Sequence, residues 1–209
     1  MKLHHKKFGP APQPGGRPTL VLLHGYGADE LDLVPLAVEL DPSMPVVSLQ
    51  GPLSLGGGMR AWYQLQQTPQ GFLIDESEVR ASDALLAESL AELAGERGKL
   101  VLSGFSQGGG MAARATLFHP EHVRGVACLS SVPPRTRPEQ RAPPDALKGL
   151  PAFVAHGEHD PLLGAGAGRE VRDELQNAGL QVTYREYPMG HMIVGEEVAD
   201  LRSWLTLTR

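Results

Sequence analysis

The sequence predicts an α/β protein in which a mostly parallel central sheet is covered by helices on both faces. Short β-rich runs alternate with helical patterns along nearly the whole chain of 209 residues, which is typical of βαβ units. The predicted strands are nearly continuous apolar runs, as expected where helices bury both faces of a sheet. The chain length fits a single domain over residues 1–209.

These patterns place six strands and five helices. The strands are predicted over residues 19–23, 45–49, 100–104, 123–129, 152–156 and 182–187. The helices are predicted over residues 30–40, 77–95, 107–118, 168–178 and 194–205. The second helix begins with acidic residues, which the positive end of the helix dipole favours. It also has leucines at helical spacing, which predicts one buried face.

Two long connections interrupt the alternation of strands and helices. Residues 51–74 contain three consecutive glycines together with Trp62 and Tyr63, and residues 131–149 are rich in proline. Long connections in compact domains are often functional or mobile. Neither connection is large enough to form a separate cap domain, so no cap domain is expected.

The composition excludes several classes of protein. Charged residues make up 21% of the chain and the formal net charge is -5, so neither a disordered chain nor a nucleic-acid partner is expected. No apolar run approaches the ~20 residues that span a membrane, and the amino terminus has no signal-peptide pattern. His4 and His5 lack further ligands at a metal-binding spacing, so no metal site is expected.

Cys128 is the only cysteine of the chain. A single cysteine excludes an internal disulfide and fits a reducing compartment, so we expect a cytoplasmic protein. Because Cys128 lies in the middle of a predicted strand, its expected role is that of a small buried side chain. The sequence leaves the oligomeric state open, a homodimer included.

The segment GFSQG at residues 104–108 has the Gly-x-Ser-x-Gly pattern of a nucleophile elbow. The pattern is short, so its meaning depends on a strand before it and a helix after it, and both are predicted here. Small residues beside Ser106 allow the sharp turn that projects the hydroxyl above the sheet. The sequence therefore predicts that Ser106 is the nucleophile of a serine hydrolase.

A serine nucleophile requires a histidine base that a carboxylate orients. The chain order in this arrangement is serine, acid, histidine, which excludes the histidines before Ser106. His191 follows the last predicted strand, at the carboxyl edge of the sheet where such sites lie, and is the predicted base. The other histidines lie at the far end of the helix after Ser106 or beside the predicted acid: His119, His122, His156 and His159.

The acid and the oxyanion donors follow from the ends of other strands. Asp160 comes soon after the strand over residues 152–156 and is the predicted acid, with Glu158 as its nearest rival. Two backbone N–H groups must stabilise the oxyanion of the tetrahedral intermediate. One belongs to the residue after the nucleophile, Gln107, and the other to the loop after the first strand, for which Tyr26 is predicted.

Five segments occur in a characteristic order: LLHGYGAD at 22–29, RAWY at 60–63, GFSQGG at 104–109, HG with DP within 156–161, and GH at 190–191. In this order they resemble the phospholipase/carboxylesterase family of α/β-hydrolases, which includes small bacterial carboxylesterases and acyl-protein thioesterases. The resemblance implies a single-domain α/β-hydrolase fold without a lid domain. It also implies hydrolysis of small-molecule carboxylic esters or thioesters without a cofactor.

The resemblance carries the catalytic triad onto Ser106, Asp160 and His191, and the oxyanion donors onto Tyr26 and Gln107. It further implies substrate contacts whose side chains could equally belong to the core: Leu53, Trp62 and Leu162. The sequence departs from the family pattern where leucine is usual at Tyr26, where an acidic residue is usual at Gln64, and in the glycine-rich segment 164–168. These departures affect substrate shape more than the reaction.

The expected substrates are short- to medium-chain esters. Acyl-protein thioesterase and lysophospholipase activities share this chemistry and stay open. A catalytically inactive hydrolase fold that serves as a binding protein is the alternative from another class. A nucleotide-binding protein is a weaker alternative, because the glycine-rich segment before the helix over 168–178 lacks the register of a phosphate-binding loop.

Overall fold

A computed structural model describes residues 2–13, 15–68 and 71–208 of the chain. The described strands are β1 His5–Phe8, β2 Leu20–Leu23, β3 Val46–Leu49, β4 Leu53–Gly56, β5 Met59–Ala61, β6 Leu65–Thr68, β7 Gly71–Ile74, β8 Leu100–Phe105, β9 Val123–Leu129, β10 Pro151–Gly157 and β11 Gln181–Tyr187. The α-helices are α1 Val34–Leu40, α2 Glu76–Arg97, α3 Gln107–Phe118, α4 Pro144–Leu147, α5 Gly164–Asn177 and α6 Gly195–Trp204. Short 3₁₀ turns cover Pro120–His122, Pro138–Gln140 and Leu205–Thr208.

Seven strands form one sheet in the order β1-β3-β2-β8-β9-β10-β11. Strand β1 runs antiparallel to β3, and every other neighbouring pair in this sheet is parallel. The prediction of a mostly parallel sheet is therefore confirmed. Because the strands β2, β3, β8, β9, β10 and β11 run in the same direction, the loops after their carboxyl ends meet along one edge of the sheet.

The sheet separates two apolar cores. In β2, Val21 and Leu23 pack into the core that α2, α3 and α5 cover, whereas Leu20 and Leu22 pack into the core that α1 and α6 cover. This alternation follows from the two-residue period of a strand, which sends successive side chains to opposite faces. Helices on both faces explain why the central strands read as continuous apolar runs.

Two regions differ from the predicted elements. The amino terminus supplies β1, which pairs with β3 from His5 opposite Leu49. The connection over residues 51–74, predicted as a loop, contains the hairpins β4–β5 and β6–β7. Both differences have the same cause: these strands are short, and their partners are not encoded in a local apolar pattern. The connection over residues 131–149 has only one 3₁₀ turn and the four-residue helix α4.

Local signals set the helix boundaries. The Asp75 side chain accepts a hydrogen bond of 2.8 Å from the Ser77 N–H and caps α2, and Gly98 follows the helix at φ 74°, a conformation suited to glycine. Helix α1 begins later than predicted, at Val34, with a proline in its first turn. Among the described residues, no helix combines the length and apolarity that crossing a membrane requires.

A buried carboxyl group lies in the first turn of α6. The Glu197 side chain has no exposed surface, and its oxygens make no hydrogen bond of good geometry within the described part of the chain. Burial raises the pKa of this carboxyl to about 8. The unfolded chain would release the proton near the ordinary value of 4.5. Between these two pH values the folded chain binds more protons, so its stability falls as the pH rises.

We expect the substitution Glu197→Gln to remove most of this pH dependence. The variant should gain thermal stability relative to the wild type at pH 8, on the order of a few kcal/mol, and much less at pH 5. Thermal unfolding at both pH values measures the effect. The exposed neighbour in the same helical turn provides the matched control, Glu196→Gln. An equal effect of Glu197→Gln at both pH values would contradict the assignment.

Candidate active site

The turn between β8 and α3 holds Ser106 in an unusual backbone conformation. Ser106 has φ 54° and ψ -117°, a region that side-chain-bearing residues rarely adopt. A Cβ on Gly104 would lie 2.3 Å from the Gly108 carbonyl oxygen, and a Cβ on Gly108 would lie 2.1 Å from the Leu23 carbonyl oxygen. The glycines at both ends of the predicted motif are therefore required by close backbone approach.

The three side chains predicted to act together lie in hydrogen-bonded contact. The distance from Ser106 Oγ to His191 Nε2 is 3.0 Å, and the distance from His191 Nδ1 to Asp160 Oδ2 is 2.7 Å. Residues separated by 85 and 31 positions meet because β8, β10 and β11 end at the same edge of the sheet. The Phe105 ring packs against the His191 imidazole at 4.8 Å between centroids.

Close packing joins the loop that carries Asp160 to the loop that carries His191. A Cβ on Gly157 would lie 2.4 Å from the carbonyl oxygens of both Met189 and Gly190, so only glycine allows the two loops to approach this closely. The His159 N–H donates to the Met189 carbonyl oxygen at 3.1 Å. The glycine of the HG pair thus serves to bring the predicted base to the predicted acid.

Asp160 is held as a carboxylate by directed donors. Its Oδ1 accepts the N–H groups of Leu162 at 2.9 Å and Leu163 at 3.1 Å. Burial by itself raises the pKa of the Asp160 carboxyl, but the hydrogen bonds from His191, Leu163 and Leu162 outweigh burial. The pKa of Asp160 therefore lies below its ordinary value, and the group is ionised at neutral pH. An ionised carboxylate can orient an imidazole and stabilise its protonated form.

The two predicted oxyanion donors belong to backbone segments beside Ser106. Gln107 begins α3, and N–H groups in the first turn of a helix have no partner within that helix. The loop that contains Tyr26 lies close to Ser106, because a Cβ on Gly25 would lie 3.4 Å from the Ser106 Cβ. The Gly27 N–H donates to the Arg60 carbonyl oxygen at 2.8 Å, which fixes this loop against β5.

A set of buried hydrogen bonds connects these two backbone segments. The Gln107 side chain accepts the Trp62 N–H at 2.9 Å and donates to the Tyr63 carbonyl oxygen at 2.8 Å. The Trp62 indole N–H donates to the His24 carbonyl oxygen at 2.9 Å. His24 Nε2 in turn accepts the Gly51 N–H at 2.9 Å. Trp62 thus links the start of α3 to the loop that follows β2.

Trp62 differs from its predicted role as a substrate contact. Its side chain is only 1% exposed and packs in the core, so the ring offers no surface to a substrate. The indole of Trp62 instead holds the backbone beside the site, through its hydrogen bond to the His24 carbonyl oxygen. A burial preference alone could not reveal this, because an apolar residue in a long connection suits either a pocket wall or a core.

The other predicted substrate contacts lie at different depths. Leu162 is 61% exposed, and its backbone N–H binds Asp160. Leu53 is half-buried in β4.

The Tyr26 side chain is 37% exposed, and its hydroxyl donates to Gln64 Oε1 at 3.0 Å. The two residues that depart from the family pattern, Tyr26 and Gln64, thus contact each other.

His156 lies at the site, although its position before the acid made it a poor candidate for the base. Its ring is fully buried, and its Nε2 lies 3.2 Å from Asp160 Oδ2. Its place at the end of β10, four residues before Asp160, is the only sequence signal for this contact.

Cys128 is buried in the middle of β9. Burial raises the pKa of the Cys128 thiol to about 12, so Cys128 is not a thiolate nucleophile at neutral pH. Within the ranges that the structure describes, no three histidine, cysteine or acidic side chains converge as a metal site. The sheet edge brings together a hydroxyl, two imidazoles, a carboxylate and backbone N–H groups.

A sequence profile of phospholipases and carboxylesterases matches residues 11–209. The chain belongs to the phospholipase/carboxylesterase family. Acyl-protein thioesterase 1 of Cryptococcus neoformans var. neoformans serotype D (strain JEC21) is 27% identical over an alignment of 234 positions. The alignment covers 97% of this chain and 96% of that protein. The Bacillus cereus carboxylesterase structure has a TM-score of 0.82 at 28% identity and covers 99% of this chain and 95% of that chain. A Mesorhizobium loti carboxylesterase has a TM-score of 0.77 at 28% identity, covering 91% and 89%.

Family membership confirms the resemblance that the sequence predicted. It also confirms the α/β-hydrolase fold, and no separate cap domain is evident over the part of the sheet edge that the structure describes. As a member of this family the protein is a hydrolase of the carboxylesterase type.

Substitution of Gly108 tests whether close backbone approach supports the site. In Gly108→Ala the new methyl group must displace the backbone at Leu23 and His24, so we expect ester hydrolysis to fall by about 10²-fold or more, together with thermal stability. Gly95→Ala in α2 is the control, because nothing lies within 4 Å of its Cβ and alanine favours a helix by about 1 kcal/mol. A Gly108→Ala variant with wild-type turnover would refute this account of the turn.

Proposed function

We propose that this protein is a serine carboxylic-ester hydrolase that acts through an acyl-enzyme intermediate. Ser106 is the nucleophile, His191 the general base and Asp160 the orienting acid. The observation that carries the proposal is the continuous contact from Ser106 Oγ to His191 Nε2 and from His191 Nδ1 to Asp160 Oδ2, at 3.0 and 2.7 Å. Family membership supports the reaction class, and this geometry supports the roles of the three residues.

In the first half of the reaction, Ser106 Oγ attacks the carbonyl carbon of the ester while His191 Nε2 takes the hydroxyl proton. Asp160 holds the imidazole through Nδ1 and stabilises the positive charge that develops on it. The N–H groups of Tyr26 and Gln107 stabilise the negative oxygen. His191 then gives its proton to the leaving alcohol, which departs and leaves the acyl group on Ser106.

In the second half, water takes the place of the alcohol. His191 removes one proton from the water as the water oxygen attacks the acyl carbon, and the same two N–H groups stabilise the second oxyanion. The tetrahedral intermediate collapses, Ser106 recovers its proton from His191, and the carboxylic acid leaves. Each proton that His191 removes is returned within the cycle, so one water molecule is consumed and the protein ends in its starting state.

Short- to medium-chain esters are the proposed substrates. Leu162 and Met192 follow the acid and the base closely in sequence, and their side chains are 61% and 54% exposed. Because these residues adjoin the acid and the base in the chain, we propose that their side chains form a small apolar rim for the acyl group. Each methylene group that the rim covers stabilises binding by about 0.8 kcal/mol, and a rim of two side chains covers only a few of them. An acyl group of modest length therefore suits it.

Acyl-protein thioesterase activity is the second candidate. The Cryptococcus relative bears that name and matches nearly the whole chain. A thioester requires the same nucleophile, base and oxyanion donors, and differs in its thiol leaving group. The geometry of Ser106 and His191 therefore supports both candidates, and only the substrate contacts distinguish them.

The residue roles predict the result of covalent labelling. A fluorophosphonate probe should label Ser106 in the wild type, and Ser106→Ala should abolish labelling. We expect Ser106→Ala, His191→Ala and Asp160→Asn each to reduce kcat for an aryl ester by about 10³-fold or more. Mass spectrometry of the labelled peptide and initial rates measure these effects.

Glu158→Gln is the matched control for Asp160→Asn, because Glu158 was the nearest rival acid and its side chain is exposed. This variant should retain wild-type turnover. Full activity in Ser106→Ala would end the proposal, and an unlabelled, inactive wild type would favour a binding protein with a hydrolase fold.

A series of aryl esters from C2 to C12, with one long-chain acyl thioester, tests the substrate class. We expect kcat/KM to be highest between C2 and C6 and to decline for longer chains, because the exposed apolar rim is small. A preference for the long-chain thioester would instead assign the protein to the acyl-protein thioesterases. Ser106→Ala assayed in parallel shows how much of each rate comes from the site.

A further inference from the structure

Two imidazoles face the same oxygen of Asp160. His191 Nδ1 lies 2.7 Å from Asp160 Oδ2, and His156 Nε2 lies 3.2 Å from that same atom. The side chains of His156 and Asp160 have no exposed surface. The mechanism proposed above uses only the first contact, so His156 is a buried polar group without an assigned task.

The surrounding backbone is shaped to hold His156. His156 is the second-last residue of β10, and α5 crosses directly against its ring. A Cβ on Gly168 would lie 2.5 Å from the His156 Cβ and 2.9 Å from its Nδ1. Gly168 is the last glycine of the segment 164–168. At this position glycine provides the space for the imidazole.

The electrostatic environment keeps the His156 ring neutral. Burial lowers the pKa of His156, and His191 acts in the same direction, whereas Asp160, Glu186 and a contact with the Gly164 backbone oppose it. Glu186 on β11 is already paired with Arg169 of α5 at 2.7 Å. A neutral ring that carries its proton on Nε2 directs the positive end of its dipole to Asp160 Oδ2.

The free-energy cost of burying the His156 ring points to a function. Neither ring nitrogen of His156 makes a hydrogen bond of good geometry with the described residues. The ring has only looser polar contacts, with the Gly164 backbone and with Asp160 Oδ2. A buried polar group that lacks a well-formed partner costs about 1–3 kcal/mol. Such a group in a native protein calls for an explanation at a site of catalysis or strain.

We propose that His156 is a positioning residue for Asp160, which fixes the carboxylate against the base and moderates its charge. The inference rests on the proposed role of Asp160 as the acid of the triad. With two backbone N–H groups on Oδ1 and two imidazoles on Oδ2, the carboxylate has one defined orientation. The His156 dipole also takes up part of the negative charge on Asp160 Oδ2.

Two substitutions of His156 separate its polarity from its volume. His156→Phe fills the space without a donor, whereas the amide of His156→Gln can place an N–H group near the position of Nε2. We expect His156→Phe to lower kcat by about 10- to 100-fold, with little change in KM. We further expect the acidic limb of its kcat/KM profile to move to higher pH, because no dipole then offsets the negative charge of Asp160 beside the reacting groups. His156→Gln should restore most of the turnover and the wild-type pH profile.

A second pair of variants moves the ring without replacing it. Gly168→Ala places a methyl group against His156 and should shift the acidic limb in the same direction as His156→Phe. Gly166→Ala in the same helix is the control, because nothing lies within 4 Å of its Cβ, and it should leave the profile unchanged. If thermal unfolding shows that His156→Phe does not fold, the comparison of Gly168→Ala with Gly166→Ala tests the positioning role instead.

The outcomes distinguish this inference from the proposed function. One outcome is a wild type that hydrolyses esters and is labelled at Ser106, while the pH profile of kcat/KM stays unmoved in His156→Phe or in a folded Gly168→Ala. That result overturns the positioning role alone. Loss of turnover that His156→Gln does not restore also overturns it and assigns His156 to packing. An unlabelled wild type overturns the proposed function itself.

Discussion

The site depends on the backbone contacts that surround Ser106. A parallel strand must end and a helix must begin within one residue, and that residue adopts a positive φ. The turn fits only because Gly104 and Gly108 have no side chain where neighbouring carbonyl oxygens approach within 2.3 Å of a would-be Cβ. The same close approach brings the β2 loop beside the serine, so the nucleophile and a candidate oxyanion donor share one steric constraint.

Parallel strand direction determines which residues can meet at this serine. Strands β8, β10 and β11 end at the same edge, and each is followed by one member of the proposed triad. Direction alone brings the loops near each other but does not orient the side chains. Orientation comes from short-range features, namely the missing side chain of Gly157, the N–H groups on Asp160 Oδ1 and the His159 bond to Met189.

Much of the site consists of residues that support the reacting groups. Gln107 and Trp62 connect the two segments that carry the proposed oxyanion donors, and the fully buried His156 side chain contacts Asp160. Preorganised donors stabilise a transition state because they need not reorganise when charge develops. The supporting side chains are buried, and this gives the donors a fixed geometry.

The sequence by itself determined the sheet, the helices on both of its faces and the order of the family motifs, because apolar runs and short motifs are legible within single segments. It therefore identified Ser106, Asp160 and His191 as residues that could meet, with the distances left to the structure. Only the tertiary structure decided that Trp62 belongs to the core, that β1 joins the sheet and that residues 51–74 form hairpins. It also decided that His156 faces Asp160 and that the missing side chain of Gly168 leaves room for the imidazole. These features depend on contacts between segments distant in sequence, and the residue types involved suit several environments equally well.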